Sequence, residues 1–539
     1  MPTLTIDGQQ ITVEKGATVI QAAEALGIYV PRYCYHPGLS LAGSCRMCLV
    51  EIEKSPKLQI ACYTQAADGM VVQTTSEKVK VARQAVLEFL LSNHPLDCPV
   101  CDQSGECDLQ NFYMEFGLYQ SQFLENKIKR RKAQPIGPHV VLDNERCILC
   151  SRCVRFCKEV SKSNELGIVN RGEQSEIALF EGRELTNPYS GNVIDICPVG
   201  ALTEREFRFQ CRVWYLDRAK SVCNGCARGC NIEIHYNVKR PYQSRGRRIL
   251  RIKPRFNPDV NKWWICDEGR YGFEFIDAAN RLQNFERLEA AQKQTVSMEE
   301  AALAMTERMQ ESIGRGGGES IAFFVSPKQS NEDLYAALKL ARAVGTKKID
   351  FRNPAEQPGF QDDFLIRADK NPNTRGCEEM GLYRKDRQDG SWIADEIRSG
   401  AVRTLVVFLQ DLTVDPGFRE ALGSLDCLIF FGTNWNGTSD RAQLVMASAT
   451  YAEKDGSFTN FEGRAQRFGQ AVSPLGDSRP DAEIIAGVAA LFGAAVESFD
   501  RERLLADLRS EFRFFDQPSL DPPELETVYQ RTLDQQESA

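Results

Sequence analysis

Histidine is scarce in this chain, with four among 539 residues. That scarcity excludes several imidazole-rich zinc or non-haem iron sites and turns attention to thiolate ligation. Long hydrophobic runs are missing too: nothing approaches the roughly 18 apolar residues that a membrane helix needs. A basic surplus is absent, the formal net charge being −8, so nucleic acid is not an expected partner. The opening MPTLTIDGQQITV has neither a charged-then-apolar signal nor an Arg-rich transit segment, which makes the cytoplasm the expected compartment. Cysteine is plentiful, but the 19 thiols are an odd number and 17 of them precede residue 267. A short secreted disulfide scaffold does not fit that distribution. Sets of four thiolates fit iron–sulfur clusters or structural zinc. At this length a single core is also excluded, and about three to five domains are expected.

Residues 3–27 alternate Leu4/Ile6 and Ile11/Val13 around Asp7-Gly8, and Thr18 then opens an apolar-striped helix closed by Gly27, giving strand, hairpin, strand, helix. Cys34, Cys45, Cys48 and Cys62 follow, separated by ten, two and thirteen residues. The order resembles a β-grasp ferredoxin with a 2Fe-2S cluster: Gly43 and small Ser44 let backbone N–H groups approach sulfur, and Cys62 returns on a strand. Zinc is the alternative. The stretch 76–91 reads as a helix with Ser76 as N-cap and Val79, Ala82, Val86, Phe89 and Leu90 on one face.

That helix runs into HxxxCxxCxxxxxC, placing His94, Cys98, Cys101 and Cys107 together. Spacing alone leaves zinc held by three Cys and one His as a serious rival. The arrangement directly after a β-grasp ferredoxin resembles the second module of the large iron–sulfur subunit of complex I and of iron-only hydrogenases. That resemblance implies a 4Fe-4S cluster with one His and three Cys ligands. The basic run Lys127–Lys132 and the PIGPH at 135–139 then read as a solvated linker, with docking of an acidic partner as the alternative.

Next come Cys147, Cys150 and Cys153 in CxxCxxC, Cys157 after three more residues, and Cys197 in CPVGAL, expected at the start of a helix. A two-cluster ferredoxin would need a second CxxCxxC, so one 4Fe-4S cluster on Cys147, Cys150, Cys153 and Cys197 is implied, with Cys157 a buried bystander. The last set is Cys223, Cys226 and Cys230, with Cys266 thirty-five residues later, and small Gly225, Ala227 and Gly229 between the thiols leave room for a cubane. It resembles the cluster-binding domain of molybdopterin oxidoreductases; a zinc ribbon is the alternative. This fourth cluster is the optional one.

Residues 273–539 change character, with strands such as SIAFFV, RTLVVFL and DCLIFF between helices, which predicts a parallel α/β layer. GRGGGES at 314–320 precedes its strand, so it reads as a flexible loop and not a phosphate cradle. NPNTRGCEEMGL and YAEKDGSFTNFEGRAQR resemble a shortened molybdopterin-oxidoreductase body. Neither Cys377, in a loop-like stretch, nor Cys427, inside a strand, is a convincing metal ligand, so no pterin is expected. The tail from Arg501 offers Phe512, Phe514, Phe515 and Tyr529 as anchors, with the last ten residues frayed or partner-docked.

The order of motifs resembles the large iron–sulfur subunit, the 75 kDa-subunit homologue, of bacterial NADH:quinone oxidoreductase, complex I. The fold expected is multidomain, α+β then α/β. It comprises a β-grasp 2Fe-2S domain (1–78), a His/Cys3 4Fe-4S domain (79–120) and a linker (121–139). A ferredoxin-like 4Fe-4S domain (140–215), a 4Fe-4S domain of the molybdenum/tungsten type (216–272) and an α/β body without pterin (273–539) follow. The resemblance implies an electron relay without a catalytic site of its own, inside a proton-translocating oxidoreductase on the cytoplasmic face of the inner membrane. Its implied partners are the NADH- and FMN-binding subunit, a small 2Fe-2S subunit, a two-cluster ferredoxin-like subunit and the quinone-module subunits. Membrane contact would come only through the complex. Electrons would enter at the 2Fe-2S cluster, pass the Cys147 set, then the His94 set, and leave, with the Cys223 set off that line. The rivals are a diaphorase-type subunit of a soluble NAD-linked hydrogenase or formate dehydrogenase, a catalytic molybdenum or tungsten pterin enzyme, an iron-only hydrogenase, and a zinc-stapled scaffold.

Overall fold

The computed structural model describes residues 1–118, 120–244, 246–289, 292–493, 495 and 499–515. Tyr529 and the last ten residues lie outside the described residues.

The first hairpin pairs Thr3–Ile6 with Gln9–Thr12, Leu4 opposite Ile11. Its turn places both Asp7 and Gly8 at positive φ, 46° and 83°, the geometry that Asp-Gly tolerates and that matches the strand twist. Val71–Gln73 lies parallel to the first strand and antiparallel to Leu49–Ile52, completing a mixed five-stranded sheet. Helix Val19–Ala25, opened by a Thr18/Gln21 capping box, buries Val19, Ile20, Ala22 and Ala23 against Leu4, Ile6, Val50 and Val72.

Helix Glu77–Asn93 forms where expected, but its inner face is Val79, Arg83 and Leu87, and Phe89 is 81% exposed. A stripe of apolar residues alone does not include buried Arg83. Its guanidinium lies 5.0 Å from the Phe116 ring centroid and donates to the Leu49 carbonyl, so the buried side chain is an amphipathic one. In the basic run that follows, Lys129, Arg131 and Lys132 are exposed as a solvated linker would have them, while three side chains tie it to the modules on either side. Lys127 donates to the carbonyls of Leu91 and Ser92 at the end of that helix, Arg130 to those of Glu173 and Ser175, and Lys132 to Asp97 and Glu145. Gln134–Pro135 already pairs with Val140–Leu142, which in turn pairs with Leu202–Glu204.

No helix starts at Cys197, contrary to the expectation from CPVGAL. The chain instead ends helix Asn192–Asp195 before it and turns, because Pro198 has no N–H to continue a helix and the N–H groups of Val199, Ala201 and Leu202 point at the Cys197 sulfur. Asp217–Val222, Asn231–Tyr236 and Ile249–Pro254 then form an antiparallel meander.

The body is a seven-stranded sheet. Leu444–Ala447, Cys427–Gly432, Thr404–Phe408, Ile321–Phe324 and Ile349–Asp350 run parallel, and the hairpin Phe285–Glu289/Gln292–Val296 is added antiparallel at one edge. Alternate residues face opposite layers: Phe323, Val406, Ile429 and Phe431 pack on one side, and Phe324, Val407, Leu428 and Phe430 on the other. Burial on both faces explains the unbroken apolar strands. The glycine-rich stretch is not a loop throughout, since helix Met298–Gly316, opened by a Ser297/Glu300 capping box, runs into it and stops at Gly317 with φ 72°. Cys377 lies in helix Thr374–Glu379, not a loop, and is fully buried. Among the described residues no helix is long and apolar enough to cross a membrane.

Candidate iron–sulfur centres

In the first module the thiols converge. Cys34 exchanges hydrogen bonds with Cys45 and Cys62, and Cys62 with Cys48, while the N–H groups of Ser44 and Cys45 reach the Cys34 sulfur. Gly43 sits at φ 62° in that loop.

The second set lies between two helix ends. His94 closes helix Glu77–Asn93, and Cys107 opens helix Asp108–Phe116, whose N–H groups at Leu109 and Gln110 point at its sulfur. A helix N-terminus favours a thiolate. Burial holds His94 neutral, its pKa pushed down to about 4, and its Nδ1 is buried without a hydrogen-bond partner among the described residues. A neutral imidazole with a free lone pair is what a metal requires. Arg146 and Lys132 both bind Asp97 between His94 and Cys98, which fixes the loop. A side-chain carbon on Gly200 would stand 2.3 Å from Cys101 Sγ, so the CPVGAL turn belongs to this site's wall as well.

Cys147, Cys150, Cys153 and Cys197 line one small, almost wholly apolar cavity with Leu142, Ile177 and Leu202. Burial first, and then one another's charge, raises these thiols, Cys147 to about 12 and Cys197 to about 11. Dry, crowded thiols favour a bound cationic centre that would take them as thiolates. Leu149 and Ser151 adopt positive φ, 54° and 61°, which lets the CxxCxxC loop curl its N–H groups inward, as Leu149 N to Cys147 Sγ at 3.4 Å shows. Cys157 is buried on helix Arg152–Glu159 in the adjoining core, its thiol pushed up to about 12 by burial.

The fourth set joins a hairpin to a helix start. Cys223 N donates to the Cys230 carbonyl at 2.8 Å, and Gly225 N and Gly269 N approach the sulfurs of Cys223 and Cys266 at 3.4 and 3.3 Å. A side-chain carbon on Gly269 would stand 2.8 Å from Cys223 Sγ, so glycine there is a requirement of space. Asp267 anchors this loop through Ser190 and the N–H of Gly191. The body closes the site: Ala227 N donates to the Asp369 carbonyl, Phe461 N to the Ala227 carbonyl, and buried Tyr451 shares a core with Cys223.

Among the described residues no three His, Cys, Asp or Glu side chains gather tightly enough to hold a single metal ion. Each candidate centre is therefore defined by its thiol set and the surrounding backbone. The donor sets suit iron–sulfur clusters: all-thiolate in three sites, three thiolates and an imidazole in the other, with backbone N–H groups aimed at sulfur.

The links between sites involve residues that spacing did not reveal. Arg155 donates to the carbonyls of both Cys34 and Cys150, and Arg152 to those of Tyr35 and Ile196. Arg152 and Arg155 stand one helical turn apart on either side of Cys153, and nothing in that spacing marks them as links between modules.

The chain matches five domain families by their models. These are a 2Fe-2S iron-sulfur cluster binding domain over residues 1–77, the NADH-ubiquinone oxidoreductase-G iron-sulfur binding region over 83–122 and the NADH-quinone oxidoreductase subunit 3 ferredoxin-like domain over 137–203. The NDSU1/NuoG-like 4Fe-4S domain matches over 219–274, and molybdopterin oxidoreductase over 385–491. The G subunit of NADH-quinone oxidoreductase from Streptomyces coelicolor is 41% identical over 77% of this chain and 48% of its own length. The NADH-ubiquinone oxidoreductase 75 kDa subunit of Reclinomonas americana is 45% identical over 58% of this chain and 44% of its own length. The chain thus spans about half the length of these relatives. The corresponding NADH-quinone oxidoreductase subunit of Rickettsia bellii is 29% identical over 89% of this chain and 85% of its own length. A chain in the crystal structure of an NAD+-reducing [NiFe]-hydrogenase is 34% identical, covering 39% of this chain and 91% of that one, with a TM-score of 0.36.

Proposed function

Since the chain is a homologue of the large iron–sulfur subunit of NADH-quinone oxidoreductase, the 75 kDa subunit in its longer relatives, we propose that it relays single electrons from an NADH- and FMN-binding subunit toward quinone and so supports proton translocation. One 2Fe-2S cluster sits on Cys34, Cys45, Cys48 and Cys62. Three 4Fe-4S clusters sit on His94/Cys98/Cys101/Cys107, on Cys147/Cys150/Cys153/Cys197 and on Cys223/Cys226/Cys230/Cys266. The observation that carries the reading is the contact between sites. Arg155 spans Cys34 and Cys150, and the turn after Cys197 abuts Cys101, so the first, third and second centres follow one another through bonded or touching groups. The Cys223 set lies beside that line. The chain has no catalytic site of its own and no pterin, and it sits on the cytoplasmic face of the inner membrane through its partners. These are the flavin subunit, a small 2Fe-2S subunit, a two-cluster ferredoxin-like acceptor and the quinone module.

Elemental mass spectrometry of the anaerobically purified chain should find about 14 irons, two from the 2Fe-2S cluster and four from each cubane, without molybdenum, tungsten or zinc. Stoichiometric zinc would remove at least one link, and molybdenum or tungsten would make the body an active site. His94→Cys replaces a neutral ligand by a charged thiolate, so the second centre's potential should fall in a potentiometric titration; an unchanged or higher potential contradicts His94 as a ligand.

A further inference from the structure

One helix of the third module grips the ligand loop of the first. Helix Arg152–Glu159 carries ligand Cys153 on its first turn. From its far end Glu159 accepts from the Ser40 N–H at 2.8 Å and from the Ser40 hydroxyl, while Arg155 donates to the Ser40 carbonyl. Every polar group of Ser40, which lies between ligands Cys34 and Cys45, is therefore held by this helix. Arg152 takes the carbonyl of Tyr35, next to Cys34, at 2.7 Å. Within this grip one atom touches a ligand residue of each set: Arg155 Nη2 donates to the Cys34 carbonyl and, at 3.4 Å, to the Cys150 carbonyl.

Resting on the relay reading, we propose that Arg155 is the positioning residue for electron passage between the first and third centres: its fork holds a ligand residue of each, and its charge is a counter-charge that the two centres share. The passage it serves moves one electron from the first centre to the third. The guanidinium stays protonated throughout, and no bond is made or broken.

The side chain is braced in place. Ser151, at φ 61° between ligands Cys150 and Cys153, caps the helix, and its hydroxyl takes Arg155 Nε at 3.2 Å, so the loop that presents the third set also aims the guanidinium. Its charge is not spent on an acid. Arg155 is 9% exposed, and among the described residues its hydrogen bonds end on three carbonyls and that hydroxyl, none on a carboxylate. Glu159, one turn further along, is occupied with Ser40. A buried guanidinium held by neutral acceptors favours an anion close by. Two sets of four thiolates supply it, because a cluster so ligated is negative and gains a further negative charge on reduction. Arg152 differs in what it touches: the carbonyls it takes belong to Tyr35 and Ile196, each one residue away from a ligand.

Two substitutions separate the fork from the charge. Arg155→Lys keeps the charge and gives up the planar fork that reaches two carbonyls at once. When the loaded chain is reduced by a photogenerated one-electron donor and freeze-quenched, passage from the first centre to the third, followed by their magnetic resonance signals, should slow about tenfold in this variant, with both potentials unchanged. Arg155→Met removes the charge as well. In a redox titration the reduction equilibria of the first and third centres should then each fall roughly tenfold, while those of the second and fourth stay as they are. Glu159→Gln, which loosens Ser40 and leaves both ligand carbonyls bound, should pass electrons at the native rate. An undiminished rate in Arg155→Lys overturns the proposal, as does a potential shift in Arg155→Met that spares either of the two centres or spreads to all four. A Glu159→Gln rate as slow as that of Arg155→Lys overturns it too, because the grip on the loop would then account for the whole effect. If the arginine variants load iron poorly, the loss must be confined to the first and third centres, about six irons per chain; loss from all four refutes the shared link. A native chain without clusters would instead sink the relay reading, so the two failures are distinct.

Discussion

Gly200→Ala will strip the second centre of iron while leaving the other three loaded. The substituted residue is not a ligand, and its backbone has no unusual φ, so conformational freedom is not the reason. The reason is space. A Cβ at 200 would stand 2.3 Å from Cys101 Sγ and 3.0 Å from Gln103 Cβ. No real Cβ contact is that short, and neither neighbour can retreat easily. The Cys101 carbonyl is held by Arg212 at 2.6 Å, and the loop is fixed on its other side by the Arg146–Asp97 pair. Overpacking of this kind typically costs about 1–3 kcal/mol. Here the strain falls on the thiol that would bind a corner of the cubane, so metal binding absorbs it before the fold does. Iron should fall by about four per chain, and the resonance signal of the His94 centre should vanish while that of the Cys147 centre remains. Gly200→Ala with full iron would show that the turn after Cys197 does not wall the second centre, and would remove the contact that places the second and third centres side by side.

That contact also shows which parts of the site could be read from the sequence. Each candidate thiol set is legible because a cluster would demand several cysteines on one curled loop, and loops encode that demand as short, regular spacing. Strand alternation in the body is equally plain, since a sheet covered on both faces needs unbroken apolar runs. What joins the modules is encoded differently. Arg155 reaches the Cys34 carbonyl across 121 positions, and Gly200 meets Cys101 because two chain segments happen to fold together. No local rule links such pairs. The same limit explains the misplaced face of helix Glu77–Asn93: the apolar stripe gives Phe89 to the core, whereas tertiary partners, the Phe116 ring and the Leu49 carbonyl, draw Arg83 inward. Cys197 misleads for a related reason. Proline and small residues after a cysteine allow a helix start or a turn, and the choice is made by the sulfur, which claims the N–H groups a helix would have used.

Glu453→Ala will loosen the body from the fourth centre and cost about 3–5 kcal/mol, the usual penalty for stranding a buried charge. Glu453 is 1% exposed, and both its oxygens are used. Oε1 takes Arg248 at 2.7 Å; Oε2 takes Arg281 and the N–H of Thr450, each at 2.8 Å. Arg248 keeps Asp277 when Glu453 is lost. Arg281, whose side chain is fully buried, keeps only the Thr433 carbonyl among the described residues. The uncompensated guanidinium can be relieved only by admitting water or by opening the segment 450–453. That segment carries Tyr451, which shares a core with Cys223. Thermal melting followed at the cluster absorbance should therefore show an early transition carrying about four irons, with the resonance signal of the fourth centre lost first and those of the other three centres unchanged. Glu453→Gln, which keeps the shape and one acceptor, should fall between the variant and the native protein. A uniform fall in Tm with all four signals lost together would mean that this ion network supports the whole chain; an unchanged Tm would mean that Arg281 finds another partner at little cost. Only loss confined to the fourth centre ties the shortened body to the retention of that cluster, and gives residues 273–515 a physical task that needs no pterin.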